Sequence, residues 1–170
     1  MKNTLDKCTK SYYNLVCMIS YKETDMKREW KEEIHRINYL SFEIDSLYHQ
    51  AALRLGISDS VSLILYTIYD IGEGCLLSDV YKNSGVSRQT VSSAIRGLEA
   101  ENILYLEPIN GKSKKIVLTK KGEEYMQKTA ARLFAAESAV FDDWTQEELE
   151  AYIRLMGKYT DCFKKQIEKL

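Results

Sequence analysis

Proline is almost missing from this chain, with one residue, Pro108, in 170. Because proline punctuates loops and breaks helices, its scarcity beside abundant Leu, Glu, Lys, Ala and Ile points to mostly helical structure. An all-β sandwich, which turns often, would need more turn residues than eight glycines and one proline supply. Also missing is any stretch of eighteen apolar residues, and the segment Met1-Lys2-Asn3-Thr4-Leu5-Asp6-Lys7 lacks the apolar run of a signal peptide. A cytoplasmic protein with no membrane partner is expected.

Histidine and cysteine are sparse as well. The four cysteines, Cys8, Cys17, Cys75 and Cys162, form no CxxC pair, and His35 and His49 stand apart from them, which argues against a zinc framework. Fourteen residues between the two histidines put them on one helix face but about 21 Å apart at roughly 1.5 Å per residue, too far for one ion. No metal and no cofactor is expected. In a reducing compartment the cysteines are expected to be free thiols, mostly buried, with Cys8 and Cys17 the candidates for a redox input. The chain has no nucleophile elbow, phosphate-binding glycine loop, HExxH or triad, so catalysis is not expected.

What is present is 45% hydrophobic and 29% charged residues, enough for a packed core and for solubility. The net charge of −1 hides an asymmetry. Residues 1–75 hold 9 basic and 11 acidic groups, residues 76–122 hold 8 and 4, and residues 123–170 hold 7 and 10. The basic middle, with Lys112, Lys114, Lys115, Lys120 and Lys121 close together, suits a polyanion on one face.

The hydrophobic pattern resolves the organisation. Residues 1–25 fit neither period and form an N-terminal arm. Residues 26–57 carry an amphipathic helix marked by Trp30, Ile34, Ile37, Ile44, Leu47, Tyr48, Ala51 and Leu55, ending at Gly56. Ser58 caps a second helix with Val61, Ile64, Leu65 and Ile68 inward. Two short helices, Leu77 to Asn83 and Ser87 to Glu101, flank the turn Ser84-Gly85-Val86, a helix-turn-helix spacing. In the second, Val91, Ile95 and Leu98 share one face, and Gln89, Ser93 and Arg96 lie opposite with Ser92 at the margin. Two β-prone runs around Asn110-Gly111 form a hairpin with a lysine-rich tip and return strand. Thr119 caps a helix to about Phe141, and Thr145-Gln146-Glu147-Glu148 is a capping box before a last helix to Leu170. The fold class is thus mainly α with a small β-hairpin wing: a winged helix-turn-helix over residues 58–122, flanked by the long N-terminal helix and by the C-terminal helices of residues 123–170.

This order resembles the MarR family of bacterial regulators, from about Glu33 to the C-terminus. The resemblance is carried by Leu77-Ser78-Asp79-Val80, by Gly85-Val86-Ser87-Arg88-Gln89-Thr90-Val91-Ser92, by Leu98-Glu99-Ala100-Glu101-Asn102-Ile103-Leu104 and by Leu118-Thr119-Lys120-Lys121-Gly122. The wing tip reads Asn110-Gly111-Lys112 where members commonly carry Asp-x-Arg, and Asn102 stands where glycine is commoner. The resemblance implies a DNA-binding transcriptional regulator, a homodimeric repressor of a pseudo-palindromic double-stranded operator, released by a small aromatic effector.

Chemistry assigns roles along that face. Ser87 and Arg88 sit where backbone N–H groups and a guanidinium meet phosphate. Gln89, Thr90, Ser92, Ser93 and Arg96 lie on or beside the base-reading face, since Gln pairs with adenine and Arg with guanine. On the wing, with Asn110 at its tip, Lys112, Lys114 and Lys115 engage backbone phosphates or approach the minor groove, and steepen the salt dependence. Two seven-residue stripes suit pairing between copies: Trp30, Ile37 and Ile44, and Leu149, Met156 and Phe163. Similar regulators bind their effector between the dimerisation helices and the DNA-binding lobe, which here points to Tyr39, Phe42, Tyr48, Tyr66 and Tyr69. Two alternatives remain at this level: a redox-responsive regulator of the same fold using Cys8 or Cys17, and a winged-helix interaction module without sequence-specific DNA binding.

Overall fold

Hydroxyl side chains set most of the helix starts. Ser58 Oγ accepts from the Val61 amide at 3.4 Å, Ser87 Oγ from Thr90 at 3.1 Å, Thr119 Oγ1 from Gly122 at 3.0 Å and Thr145 Oγ1 from Glu148 at 3.2 Å. Each satisfies one of the amides that a helix start leaves unpaired. At Thr145 the bond is returned, because Glu148 Oε2 accepts from the Thr145 amide at 2.9 Å and closes the expected capping box.

The computed structural model describes residues 30–111 and 113–170. The N-terminal arm of residues 1–25, with Cys8 and Cys17, and the wing residue Lys112 lie outside the described residues. The elements are α1 (Lys31–Leu55), α2 (Asp59–Ile71), α3 (Leu77–Asn83), α4 (Arg88–Ala100), β1 (Leu104–Pro108), β2 (Lys114–Leu118), α5 (Lys120–Lys128), α6 (Ala130–Val140) and α7 (Gln146–Ile167). The fold class expected from the sequence is borne out. Among the described residues, no single helix is long and apolar enough to cross a membrane.

The chain divides into two compact units, Met1–Ser46 and Leu47–Leu170. In the first, the described part of α1 exposes Ile34, Ile37, Leu40, Phe42 and Ile44, and Tyr39 donates to Glu43 Oε1 at 2.9 Å along the same helix.

In the second unit a core closes around Ile64, Leu65 and Ile68 of α2, Val80 of α3, and Val91, Ile95 and Leu98 of α4. Ile103, Leu104, Ile116, Met126 and Ala130 complete it. β1 and β2 pair antiparallel, Leu104 with Leu118 and Pro108 with Lys114. The proline thus stands at the outer end of the ribbon, where its missing N–H costs no ladder bond further in. The hairpin is anchored to the segment before α3. The Ile116 amide donates to Cys75 O at 2.9 Å, and Leu76 bridges Lys115. Asn102 takes φ 58° after α4, the left-handed conformation that asparagine tolerates at a helix end.

Two details depart from expectation. The helix expected from Lys120 to Phe141 is divided at Thr129, whose backbone leaves the helical region (φ −121°, ψ −92°). Buried Thr129 donates its hydroxyl to Tyr125 O at 2.7 Å, and such back-bonding to the preceding turn bends helices. Gly122 has no room for a side chain, because a Cβ there would lie 1.8 Å from Ile103 O. The first turn of α5 therefore presses directly on the backbone entering β1.

Candidate nucleic-acid interface

Helix α4 has two chemically opposite faces. Val91, Ile95 and Leu98 are buried at 0–3% exposure, which fixes the helix on the core. Gln89, Ser93 and Arg96 are exposed on the other side, with Ser87 and Arg88 exposed at its start. These are hydrogen-bonding and cationic groups free of apolar anchors, suited to base edges and phosphates.

Two sequence-expected contacts also hold the fold together. Half-buried Ser92 shares a 3.0 Å hydrogen bond with the Tyr81 hydroxyl, joining α4 to α3. Half-buried Thr90 lies with its hydroxyl 2.8 Å from Ser87 Oγ at the cap. The Arg88 guanidinium sits 5.2 Å from the centre of the Tyr81 ring, a cation–π contact that leaves the side chain ordered at the helix start. Tyr81 therefore organises both turns of the motif from behind, and only its position in α3 could have suggested it.

On the wing, Asn110 is exposed and its Oδ1 accepts from the Ser113 amide at 2.9 Å, shaping the tip. Lys114 is exposed and Lys115 half-buried in β2. A groove between the start of α2 and α4, lined by Ser58, Ser60, Val61, Gln89, Thr90, Ser93 and Ala94, adds hydroxyls beside the recognition face.

The aromatic residues expected to line an effector site fall out as follows. Tyr48 and Tyr66 meet at Glu137 of α6, each phenol donating to one carboxylate oxygen. Tyr66 and Tyr69 both face Phe134, with ring centres 6.1 and 5.5 Å apart. Tyr39 and Phe42 belong to the first unit. Sequence pattern does not single out Glu137 or Phe134, since Glu137 is one of ten acidic groups in residues 123–170 and has no local partner to distinguish it. Burial, followed by the Glu137 carboxylate, pushes the Tyr66 phenol well above its usual range. Cys75 is buried and its thiol is pushed up to about 11 by burial and by Asp79, which leaves it inert, whereas Cys162 is exposed. Among the described residues no three His, Cys, Asp or Glu side chains gather as a metal site.

The stripes expected to pair two copies are exposed: Trp30, Ile37 and Ile44 in the first unit, and Met156 and Phe163 on α7, with Leu149 half-buried. No residue of α7 is buried.

The sequence matches no family model and no curated relative. Solved structures do match. MepR of S. aureus in its DNA-binding conformation superposes with a TM-score of 0.64 at 19% identity, covering 77% of this chain and 98% of that one. This chain has the MarR winged-helix fold. A MarR-family transcriptional regulator from Silicibacter pomeroyi gives a TM-score of 0.58 at 19% identity, over 75% of this chain and 86% of its own. BpsR of Bordetella bronchiseptica, whose DNA binding is regulated by 6-hydroxynicotinic acid, gives 0.55 at 18% identity, over 74% of this chain and 98% of its own. Within the MarR fold α4 is the second helix of the helix-turn-helix and the β1–β2 hairpin is the wing.

Proposed function

We propose that this protein is a sequence-specific DNA-binding transcription regulator without catalytic activity. It acts in the cytoplasm as a homodimeric repressor of a pseudo-palindromic operator and is released by a small-molecule effector. The observation that carries this proposal is the exposed polar face of α4, from Ser87 and Arg88 through Gln89 and Ser93 to Arg96, held outward by the buried Val91, Ile95 and Leu98. A helix that docks on protein would expose apolar or aromatic anchors there instead.

Ser87, Arg88 and the wing residues Asn110, Lys112, Lys114 and Lys115 hold the phosphates. Gln89, Thr90, Ser93 and Arg96 choose the bases, with Ser92 beside them. The apolar stripes through Trp30, Ile37 and Ile44 and through Leu149, Met156 and Phe163 pair two copies, and a twofold dimer sets its recognition helices roughly 34–36 Å apart, one turn of DNA. The clustered Tyr48, Tyr66 and Tyr69 supply effector contacts. Similarity to a regulator whose DNA binding responds to a small aromatic acid supports such an input.

The test is fluorescence anisotropy of the purified chain on duplexes tiling its own upstream intergenic region, at two salt concentrations and with scrambled competitor. Selective, saturable binding is the expected result. Arg96→Ala should lose about 1–3 kcal/mol of discrimination at one position while the fold persists, and joint alanine changes at Lys112, Lys114 and Lys115 should weaken binding to every duplex and flatten the salt slope by about one per lost phosphate contact. Unchanged binding in both variants would move the contact surface elsewhere, and no binding on any tile at low salt would favour a protein-interaction role.

A further inference from the structure

We propose that the ligand taken by the Glu137 cluster is a cation, an amine or quaternary ammonium carrying an apolar ring, and not an aromatic anion. This rests on the effector-responsive regulator proposed above and names the chemical class of its effector.

The cluster brings together α1, α2 and α6. Half-buried Glu137 receives the Tyr48 hydroxyl on Oε1 and the Tyr66 hydroxyl on Oε2. Phe134, one turn earlier on α6, packs its ring against both Tyr66 and Tyr69. The two ion pairs among the described residues are His49 with Asp59 and Lys128 with Glu124, and neither involves Glu137. The hydrogen bonds that reach its carboxylate come from neutral phenols.

The electrostatics have one sign. Tyr66 is held in its neutral, proton-donating form by burial and by the Glu137 carboxylate, and Asp70 adds to the negative field at its hydroxyl. A carboxylate that accepts two phenol hydrogen bonds and has no cation paired with it among the described residues attracts an ammonium by charge, and the Tyr66, Tyr69 and Phe134 rings packed on one another close by offer apolar and quadrupolar contact to the ring it carries. An aromatic carboxylate or phenolate meets repulsion at the same place, and a neutral phenol could only replace the phenols already bound.

Occupancy has a route to α4. Tyr66 and Tyr69 lie on α2, and Ile64, Leu65 and Ile68 of that helix share a core with Val91 and Ile95 of α4. A cation that takes Glu137 from Tyr48 and Tyr66 unfastens α2 from α6 and acts on the helix that supports α4. Regulation then follows from different cation affinities of the fastened and unfastened states.

The probes are benzyltrimethylammonium and phenylmethanesulfonate, a cation and an anion of similar size, titrated calorimetrically into the full-length protein. The cation should bind at least tenfold more tightly than the anion. Glu137→Gln keeps the shape and removes the charge, and should weaken the cation at least tenfold while binding the anion no more weakly than the unaltered protein does. Tyr48→Phe keeps the charge and removes one competing phenol, so it should tighten the cation several-fold, and it serves as the decisive variant if Glu137→Gln melts early. Preference for the anion, a twofold or smaller effect of Glu137→Gln in a folded protein, or weaker cation binding in Tyr48→Phe would each overturn the proposal. The DNA titration described above is run on the same preparations. Loss of selective DNA binding with cation binding intact counts against the regulator and leaves the cation site standing.

Discussion

The winged-helix core and α7 both carry apolar side chains but treat them in opposite ways. Around Ile64, Leu65, Val91 and Ile95 the chain closes on itself and leaves almost nothing exposed. Along α7, Ile153, Met156, Tyr159, Phe163 and Ile167 are each about half exposed or more. Contiguous exposed apolar patches of that kind mark interaction sites. The lobe's core closes within its own sequence, whereas under the proposed function a second copy covers α7.

That contrast can be broken deliberately. The largest effect is expected from the pair Met156→Glu and Phe163→Glu. Each unpaired charge buried in an interface costs about 3–5 kcal/mol, and a twofold interface meets the change twice. Light scattering should show monomers whose helical circular dichroism persists, whereas an unchanged dimer would assign α7 another role. Next comes Ile95→Ala, which should cost the lobe about 2–5 kcal/mol through lost burial and the cavity left behind. Its denaturant midpoint should fall by the same amount at low and high protein concentration if the lobe's stability is its own. The smallest effect is expected from Ser87→Ala, about 1 kcal/mol, because it removes the cap on the Thr90 amide. Its DNA affinity should fall by more than its stability if Ser87 also meets phosphate.

Most of the fold was legible because local chemistry specifies it. Ser58, Thr119 and Thr145 announce their helices by capping, and the period of Val91, Ile95 and Leu98 points the inner face of α4 without any knowledge of what it packs on. The outer face followed by elimination, so Gln89, Ser93 and Arg96 could be named from the sequence. What escaped was non-local or too short to carry a period. The link of Cys75 and Leu76 to β2 involves two residues, fewer than any alternation needs. The break at Thr129 depends on one hydroxyl finding a carbonyl in its own helix. Glu137 reaches partners 71 and 89 residues away, and nothing in its neighbourhood distinguishes it from a solvated acid.

The junction behind α4 sets how the protein could respond to any signal. Lys121 Nζ donates to Glu101 O at 2.6 Å, the Thr119 hydroxyl donates to Asn102 O at 2.7 Å, and Gly122 lies flush against Ile103. The end of the recognition helix, the root of the wing and the start of α5 are thereby cast as one piece, like a stamp whose raised letters cannot shift against each other. Such a stamp can be lifted, tilted or moved relative to its twin, but its imprint stays the same. Under the proposed function an effector would change whether an operator is gripped and how far apart its half-sites are tolerated, while the preferred bases within each half-site would remain constant.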